Sequence, residues 1–258
     1  MENLLVTGVA KGVGRYLHGN LGGLGLTRQN SSGLLGQLER SGGVDTIIHC
    51  AFNSAKSVPQ TELCGYHSDN VLLTGRLLAL PHRRFVFFSS VDVYPKDGAL
   101  KWETDQLSAG ENSTPYSLTK LISEAMVMRE SPDWLVLRPV QMLGAPRRRN
   151  VLTRILQGDL SPLPLTSDSV LNCVLYSDVL EFVRAALSRG LSGVYNLAAG
   201  ANATLAEIAG AFGRQVCWGE HFYDIGLVSN EKAAGVVPAF RRTTLENIRL
   251  HWSQDAEL

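Results

Sequence analysis

Apolar residues along this chain come in two rhythms. Short continuous runs, "NLLVTG", "LGLTR", "VDTIIHCAF", "RFVFFSS", "DWLVLRPV" and "GVYNLAA", are bounded by Gly, Pro or Asp. Runs of that length read as strands buried on both faces of a parallel sheet. Between them, "DNVLLTGRLLAL" and "TPYSLTKLISEAMVMRE" space their apolar residues by three and four, and the second opens on Thr and Pro, a helix-start signal. The alternation predicts an α/β fold, a doubly wound parallel sheet. The segment "RQNSSGLLGQLERSGG" after the second run is polar and rich in Gly and Ser, so the second crossover reads as abbreviated. After Gly144 the alternation loosens. "APRRRNVLTRILQGDLSPLPLTSDS" and the chain from Ala201 onward predict a smaller C-terminal lobe, while "VLNCVLYSDVLEFVRAALS" and "GVYNLAA" are expected to return to the main sheet. The division expected is therefore a main domain of residues 1–145 and about 170–200, and a lobe of 146–169 and 201–258.

Composition narrows the class without changing this picture. At 258 residues, with 45% hydrophobic and 19% charged positions, the chain suits one large domain or a domain with a small appendage. A formal net charge of zero argues against nucleic acid or an anionic membrane as the partner. "MENLLVTG" carries no basic leader and no run approaches the ~18 apolar residues of a membrane helix, so a cytoplasmic protein is expected. The four cysteines lack CxxC spacing and read as reduced, structural thiols. The six histidines form neither HExxH nor a Cys/His cluster, so no metal site is expected, and His49 reads as a packed core residue. No GxSxG elbow is present.

The stretch "TGVAKGVG", Thr7 to Gly14, changes the picture more. A strand, a glycine-rich turn and a helix present free N–H groups at a helix N-terminus, where the dipole favours an anion. Gly8 would permit the tight turn, Gly12 the approach of a pyrophosphate, and Gly14 the packing of helix on strand. A tight turn without a ligand explains the same glycines. In a dinucleotide site an acid at the end of the second strand binds the ribose 2′-hydroxyl, whereas an Arg suits a 2′-phosphate. Here the second strand ends in Thr27 and Arg28, and Lys11 lies in the loop, so NADP is favoured and NAD is the alternative.

"YSLTK" sets Tyr116 and Lys120 four apart, on one face of a helix. A phenol is a poor acid/base near neutrality, and a neighbouring ammonium is expected to lower its pKa. Ser89 and Ser90 close the strand of "FVFFSS" at the carboxyl edge of the sheet, where a hydroxyl can bond the same substrate oxygen as Tyr116.

With "TGVAKGVG", "IIHCAF", "SSVDVY", "YSLTK", "LRPVQMLG", "VLYSD" and "GVYNLAAG", the chain resembles, over nearly its whole length, the extended short-chain dehydrogenase/reductases of the nucleotide-sugar epimerase, dehydratase and reductase type. The resemblance implies a Rossmann-like fold with Ser90, Tyr116 and Lys120 as the catalytic set. It also implies a cofactor held by Thr7, Gly8, Lys11, Gly12, Val13, Gly14, Arg28, Ala51, Tyr116, Lys120 and Pro139. It further implies a sugar or sugar-nucleotide substrate and a homodimer. Substrate contacts are expected at Asp92, Gln141 and Arg147, the last in an arginine run suited to gripping an anion. Gln141 stands where relatives that bind a nucleoside diphosphate carry Asn, and Leu171 where they carry Arg. Val91 and Asp92 replace the dehydratases' Asp-Glu pair, and "SSVDVYPKDGALKWETD" is similar to the 4-keto-sugar reductases. Reduction of a keto-sugar by NADPH is the activity expected first, a NAD-retaining epimerase second. A dinucleotide sensor without turnover is the reading from another class, and it has no chemical need for the Ser90, Tyr116 and Lys120 set.

Overall fold

A computed structural model describes residues 3–55, 57–110, 114–145 and 149–254. Strand and helix alternate through β1 (Leu4–Thr7), α1 (Gly12–Leu21), β2 (Leu24–Leu26), α2 (Ser31–Ser41), β3 (Val44–His49), α3 (Leu63–His67), α4 (Leu73–Leu78), β4 (His82–Phe88), α5 (Pro115–Glu130) and β5 (Trp134–Pro139). There follow β6 (Gln141–Leu143), α6 (Val151–Leu156), β7 (Val170–Leu171), β8 (Cys173–Leu175), α7 (Tyr176–Arg189), β9 (Gly193–Leu197), β10 (Ala203–Thr204), α8 (Leu205–Ala211), α9 (Glu231–Ala234) and α10 (Thr244–Gln254). The chain divides into two compact units. One is Met1–Pro95, Glu103–Arg138 and Val183–Tyr195; the other is Lys96–Trp102, Pro139–Phe182 and Asn196–Leu258.

The main sheet runs β2-β1-β3-β4-β5-β9, and each strand in it is one of the six apolar runs. β1 pairs parallel with β2 and β3, β3 with β4, and β4 with β5. Continuous apolar runs suit this sheet because alternate residues leave on opposite faces and both faces are covered. Leu5, Ile47, Phe85, Phe87 and Val136 join Leu35 and Leu38 of α2, Leu77 of α4 and Val127 of α5 in one core. Their neighbours Leu4, Val6, Ile48, Val86, Leu135 and Leu137 are also buried. The chain leaves β1 toward β2 and returns on the other side at β3. That reversal opens a crevice at the carboxyl ends of β1 and β3, where ligands bind in such sheets.

Two expectations are corrected. The crossover after β2 is a full helix: α2 has eleven residues, one more than α1, and buries Leu35 and Leu38. Gly42, at φ 88°, ends it by donating its N–H to Leu38 O. Polar composition had hidden a helix that needs only a narrow apolar stripe. Residues 170–175 do not return to the main sheet. β7 pairs antiparallel with β10, and β8 parallel with β6. The run is split at Asn172, whose side-chain amide donates to Ala199 O and Asn202 Oδ1 and accepts from Ala199 N. Leu171, Cys173 and Leu175 turn into the second unit's own core with Leu143, Ile155, Leu163 and Ile208. Among the described residues no helix is long and apolar enough to cross a membrane, and the four cysteines are unpaired.

Candidate active site

The glycine loop leaves β1 at Thr7. Gly8 (φ 74°) and Gly12 (φ 67°) lie in the left-handed region that costs any other residue energy. A Cβ on Gly8 would stand 2.9 Å from Ala51 N, so the loop lies directly on the chain leaving β3. A Cβ on Gly14 would stand 2.7 Å from the carbonyl oxygens of both Thr7 and Gly8. Lys11, exposed, precedes α1 as its N-cap; Gly12, Val13 and Gly14 form the first turn. The first N–H groups of this ten-residue helix have no partner within the helix, and Gly8 and Gly12 keep Cβ atoms from two positions of the loop before them, a cradle that fits a diphosphate. Gly14→Ala is expected to cost about 1–3 kcal/mol of stability, because backbone atoms cannot swing away from the methyl. Gly19→Ala, in the same helix with nothing within 4 Å of its Cβ, should instead gain about 0.5–1 kcal/mol. Denaturant unfolding of both variants reads the difference in sign.

Thr7 ties the loop to β3. Its hydroxyl oxygen accepts from Cys50 N (3.1 Å) and Ala51 N (2.9 Å), and its one proton goes to His49 Nδ1 at 2.8 Å. His49 Nε2–H is left to donate to Thr74 Oγ1 at 3.0 Å, and Thr74 donates on to Asn70 O at 2.7 Å. Burial, then the charge of Lys120, lowers His49 to about 3, so it stays neutral and serves as a fixed strut between sheet and helix. Asn70 clamps the half-buried Asn53 from both sides: its Oδ1 accepts from Asn53 N (2.7 Å) and its Nδ2 donates to Asn53 O (3.1 Å).

The chemistry-bearing hydroxyls and amine meet at the carboxyl edge of the same unit. Ser90 follows β4 and caps the next turn, accepting from Asp92 N at 3.1 Å. Tyr116 and Lys120 ride on α5, which starts cleanly because Thr114 and Ser117 form a reciprocal capping box ahead of Pro115. The Tyr116 hydroxyl lies beside that of Ser90. The fully enclosed Lys120 Nζ donates to Phe88 O, stands 3.5 Å over the centre of the Phe52 ring and 5.8 Å from that of Tyr116. Phe52 in turn packs edge-on against Tyr116 at 5.8 Å.

Here the electrostatics differ from the expectation for "YSLTK". Burial raises Tyr116 to about 12; the Ser90 hydroxyl works against this, and the nearby Asp92 carboxylate adds to it. Burial also lowers Lys120 to about 7, with Cys50 and Glu124 working against the fall. The amine is turned to a carbonyl and aromatic faces, and so it does not bring the phenol down. Tyr116 is held as a proton donor near neutrality, and Lys120 is poised to lose its charge there.

The other candidate residues divide. Ala51 is half-buried beside the glycine loop, and Asp92 half-buried beside Tyr116. Arg28 is exposed beyond β2, its guanidinium 2.5 Å from Asp69. Pro139 is buried at the end of β5, and Gln141, half-buried, opens β6 in the second unit. Arg147 lies outside the described residues. Phe52, Asn53, Asp69 and Asn70 touch the candidate residues or brace the chain beside them and were missed by sequence reasoning; "HCAF" and "SDN" held the only local signal. Among the described residues no group of three or more His, Cys, Asp or Glu could hold a metal ion.

Comparison with known proteins agrees with this geometry. The profile of the NAD dependent epimerase/dehydratase family matches residues 4–198. The chain belongs to that family. No curated protein matches it. Among solved structures, MoeE5 in complex with UDP-glucose and NAD is similar, with a TM-score of 0.79 at 21% identity, over 99% of this chain and 100% of that one. A dTDP-4-dehydrorhamnose reductase from Clostridium acetobutylicum has a TM-score of 0.79 at 15% identity, over 99% and 100%. UDP-glucuronic acid 4-epimerase from Bacillus cereus, in complex with UDP-glucuronic acid and NAD, has a TM-score of 0.76 at 16% identity, over 98% and 99%. At these identities the likeness is one of fold, and this family member shares its Rossmann-like sheet with epimerases and a reductase alike.

Proposed function

We propose that this family member is an oxidoreductase that reduces the ketone of a keto-sugar, free or nucleotide-linked, with a nicotinamide dinucleotide. The observation that carries the reading is the Ser90, Tyr116 and Lys120 set, with a phenol that keeps its proton. The bound dinucleotide would supply hydride from its nicotinamide C4 to the carbonyl carbon. The chain's part is the oxygen's proton. Ser90 orients and polarises that oxygen, Tyr116 donates its O–H to it, and charged Lys120, one turn along α5, would hold the dinucleotide's ribose. A phenol raised to about 12 enters the reaction carrying its proton, the form a donor needs. Asp92, beside it, helps keep the phenol protonated in the resting site. The first turn of α1 would hold the diphosphate. The exposed Lys11 supports a 2′-phosphate beyond it, whereas Arg28 is engaged by Asp69, so the choice between NADP and NAD turns on that pair.

The test is a panel of free and nucleotide-linked keto-sugars supplied with NADH or NADPH. Consumption of reduced cofactor is expected. Because Tyr116 stays protonated across the working range, kcat/KM should fall as pH rises through about 7, as Lys120 loses its charge. Interconversion of sugars without net cofactor consumption would replace the reductase by an epimerase. Binding of cofactor with no turnover of any sugar would leave a dinucleotide-binding protein.

A further inference from the structure

We propose that Asp69 makes the site selective for a dinucleotide with a free ribose 2′-hydroxyl, supplying from the turn between α3 and α4 the acid that the end of β2 lacks. The inference rests on the dinucleotide reading of the glycine loop. β2 is in parallel register with β1, Leu26 beside Thr7, so residues 27 and 28 leave the sheet next to the loop. Thr27 cannot serve as the missing acid and is already committed: its N–H and hydroxyl both donate to Asn30 Oδ1, at 2.7 and 3.1 Å. The next residue, Arg28, is the base a 2′-phosphate would seek. Its guanidinium lies 2.5 Å from Asp69 Oδ2, and the same oxygen accepts from Asn53 Nδ2 at 3.2 Å.

The two partners of this pair are not equally free. The Arg28 side chain is 79% exposed and held at its tip, whereas that of Asp69 is 33% exposed. Asp69 also sits in a π-turn, Ser68–Leu72, whose next residue, Asn70, is fully buried and clamps the Asn53 backbone by two hydrogen bonds. A phosphate arriving at Arg28 could draw the guanidinium away, but the carboxylate would stay, within a few ångströms of the new dianion. Exposed ion pairs are weak, so the pair itself is a minor obstacle. The fixed negative charge beside a doubly charged phosphate is the larger one, about tenfold in affinity at an intermediate dielectric. A ribose diol meets the same carboxylate as a hydrogen-bond acceptor. Arg28, read from the sequence as a mark of NADP, is in this arrangement the residue that helps orient an acid toward NAD.

The experiment is a calorimetric titration of the full chain with NAD and with NADP, repeated with Asp69→Asn and with Asp69→Asn/Arg28→Ala. Adenosine 2′,5′-bisphosphate and 5′-AMP serve as fragments that report the same contact without turnover. The wild-type chain should bind NAD more tightly than NADP. D69N, nearly isosteric and still able to bond Asn53, should raise the NADP-to-NAD affinity ratio about tenfold, and loss of Arg28 in that background should remove the gain. A ratio unchanged within about twofold in D69N, with both dinucleotides still binding, overturns the Asp69 assignment and leaves the dinucleotide site standing. The same holds if the wild-type chain prefers NADP. Failure of the folded wild-type chain to bind either dinucleotide or either fragment overturns the dinucleotide reading and this inference together.

Discussion

Tyr116→Phe is expected to lower kcat for keto-sugar reduction by about 10²–10⁴-fold, the usual worth of a positioned proton donor. The substitution removes the hydroxyl alone. The ring keeps its edge-on contact with Phe52, and α5 keeps its Thr114 cap. Loss of the hydroxyl beside Ser90 should cost no more than about 1 kcal/mol of stability. Dinucleotide affinity should stay within about twofold, since the phenol's task is the transferred proton and not the cradle at α1. Lys120→Met separates the two roles. It should weaken both turnover and dinucleotide binding, and at neutral pH it should raise thermal stability, because the wild-type fold encloses an amine whose ordinary pKa of 10.5 is depressed to about 7. The sign follows from linkage: between about pH 7 and 10.5 the unfolded chain holds a proton on Lys120 that the folded chain does not, so folding carries a cost there that shrinks as pH rises. A Tyr116→Phe variant retaining more than about a tenth of wild-type kcat would remove Tyr116 from the chemistry.

The sheet was legible in the sequence for a physical reason. Strands covered on both faces need apolar side chains at every position, and such runs stand out; β1 and β4 are buried almost throughout. The short ladders of the second unit were not legible, because β7 and β8 carry two and three residues and the same apolar letters suit a main-sheet strand. At the site, glycine spacing and the i,i+4 placement of Tyr116 and Lys120 are local facts and could be read directly. Asp69 could not be, since it meets Arg28 across 41 positions and through a π-turn that no local pattern announces. The direction of the Tyr116 shift was misread for the same reason. Charge proximity is written in "YSLTK", whereas burial under Phe52 and the nearness of Asp92 depend on how α5 docks. What a sequence shows of a site is its chemistry of types; which partner each group is given is settled by packing.

Arg138→Met should produce the largest loss of stability, about 3–5 kcal/mol, or a fall in Tm of about 10 °C for a chain of this size. Arg138 of β5 and Glu124 of α5 are buried together, with side-chain exposures of 3% and 4%. The guanidinium donates twice to the carboxylate, Nε to Oε1 at 3.1 Å and Nη2 to Oε2 at 2.7 Å, while Nη1 donates to Tyr94 Oη at 2.8 Å. Burial works against the guanidinium's charge, and the bonds and charge of Glu124, with Tyr94, more than offset it, so its pKa is raised. Removing one partner strands the other charge out of water, which is where the cost arises; the pair itself contributes little over an apolar replacement. Glu124→Leu combined with Arg138→Met should therefore recover most of the loss, and a double variant no more stable than the single one would refute the argument. Glu124 lies one turn beyond Lys120 on the helix that carries Tyr116. The fork thus pins that helix to the sheet, and the recovered double variant should have a kcat below wild type, because a leucine against a methionine can slide where two parallel hydrogen bonds cannot.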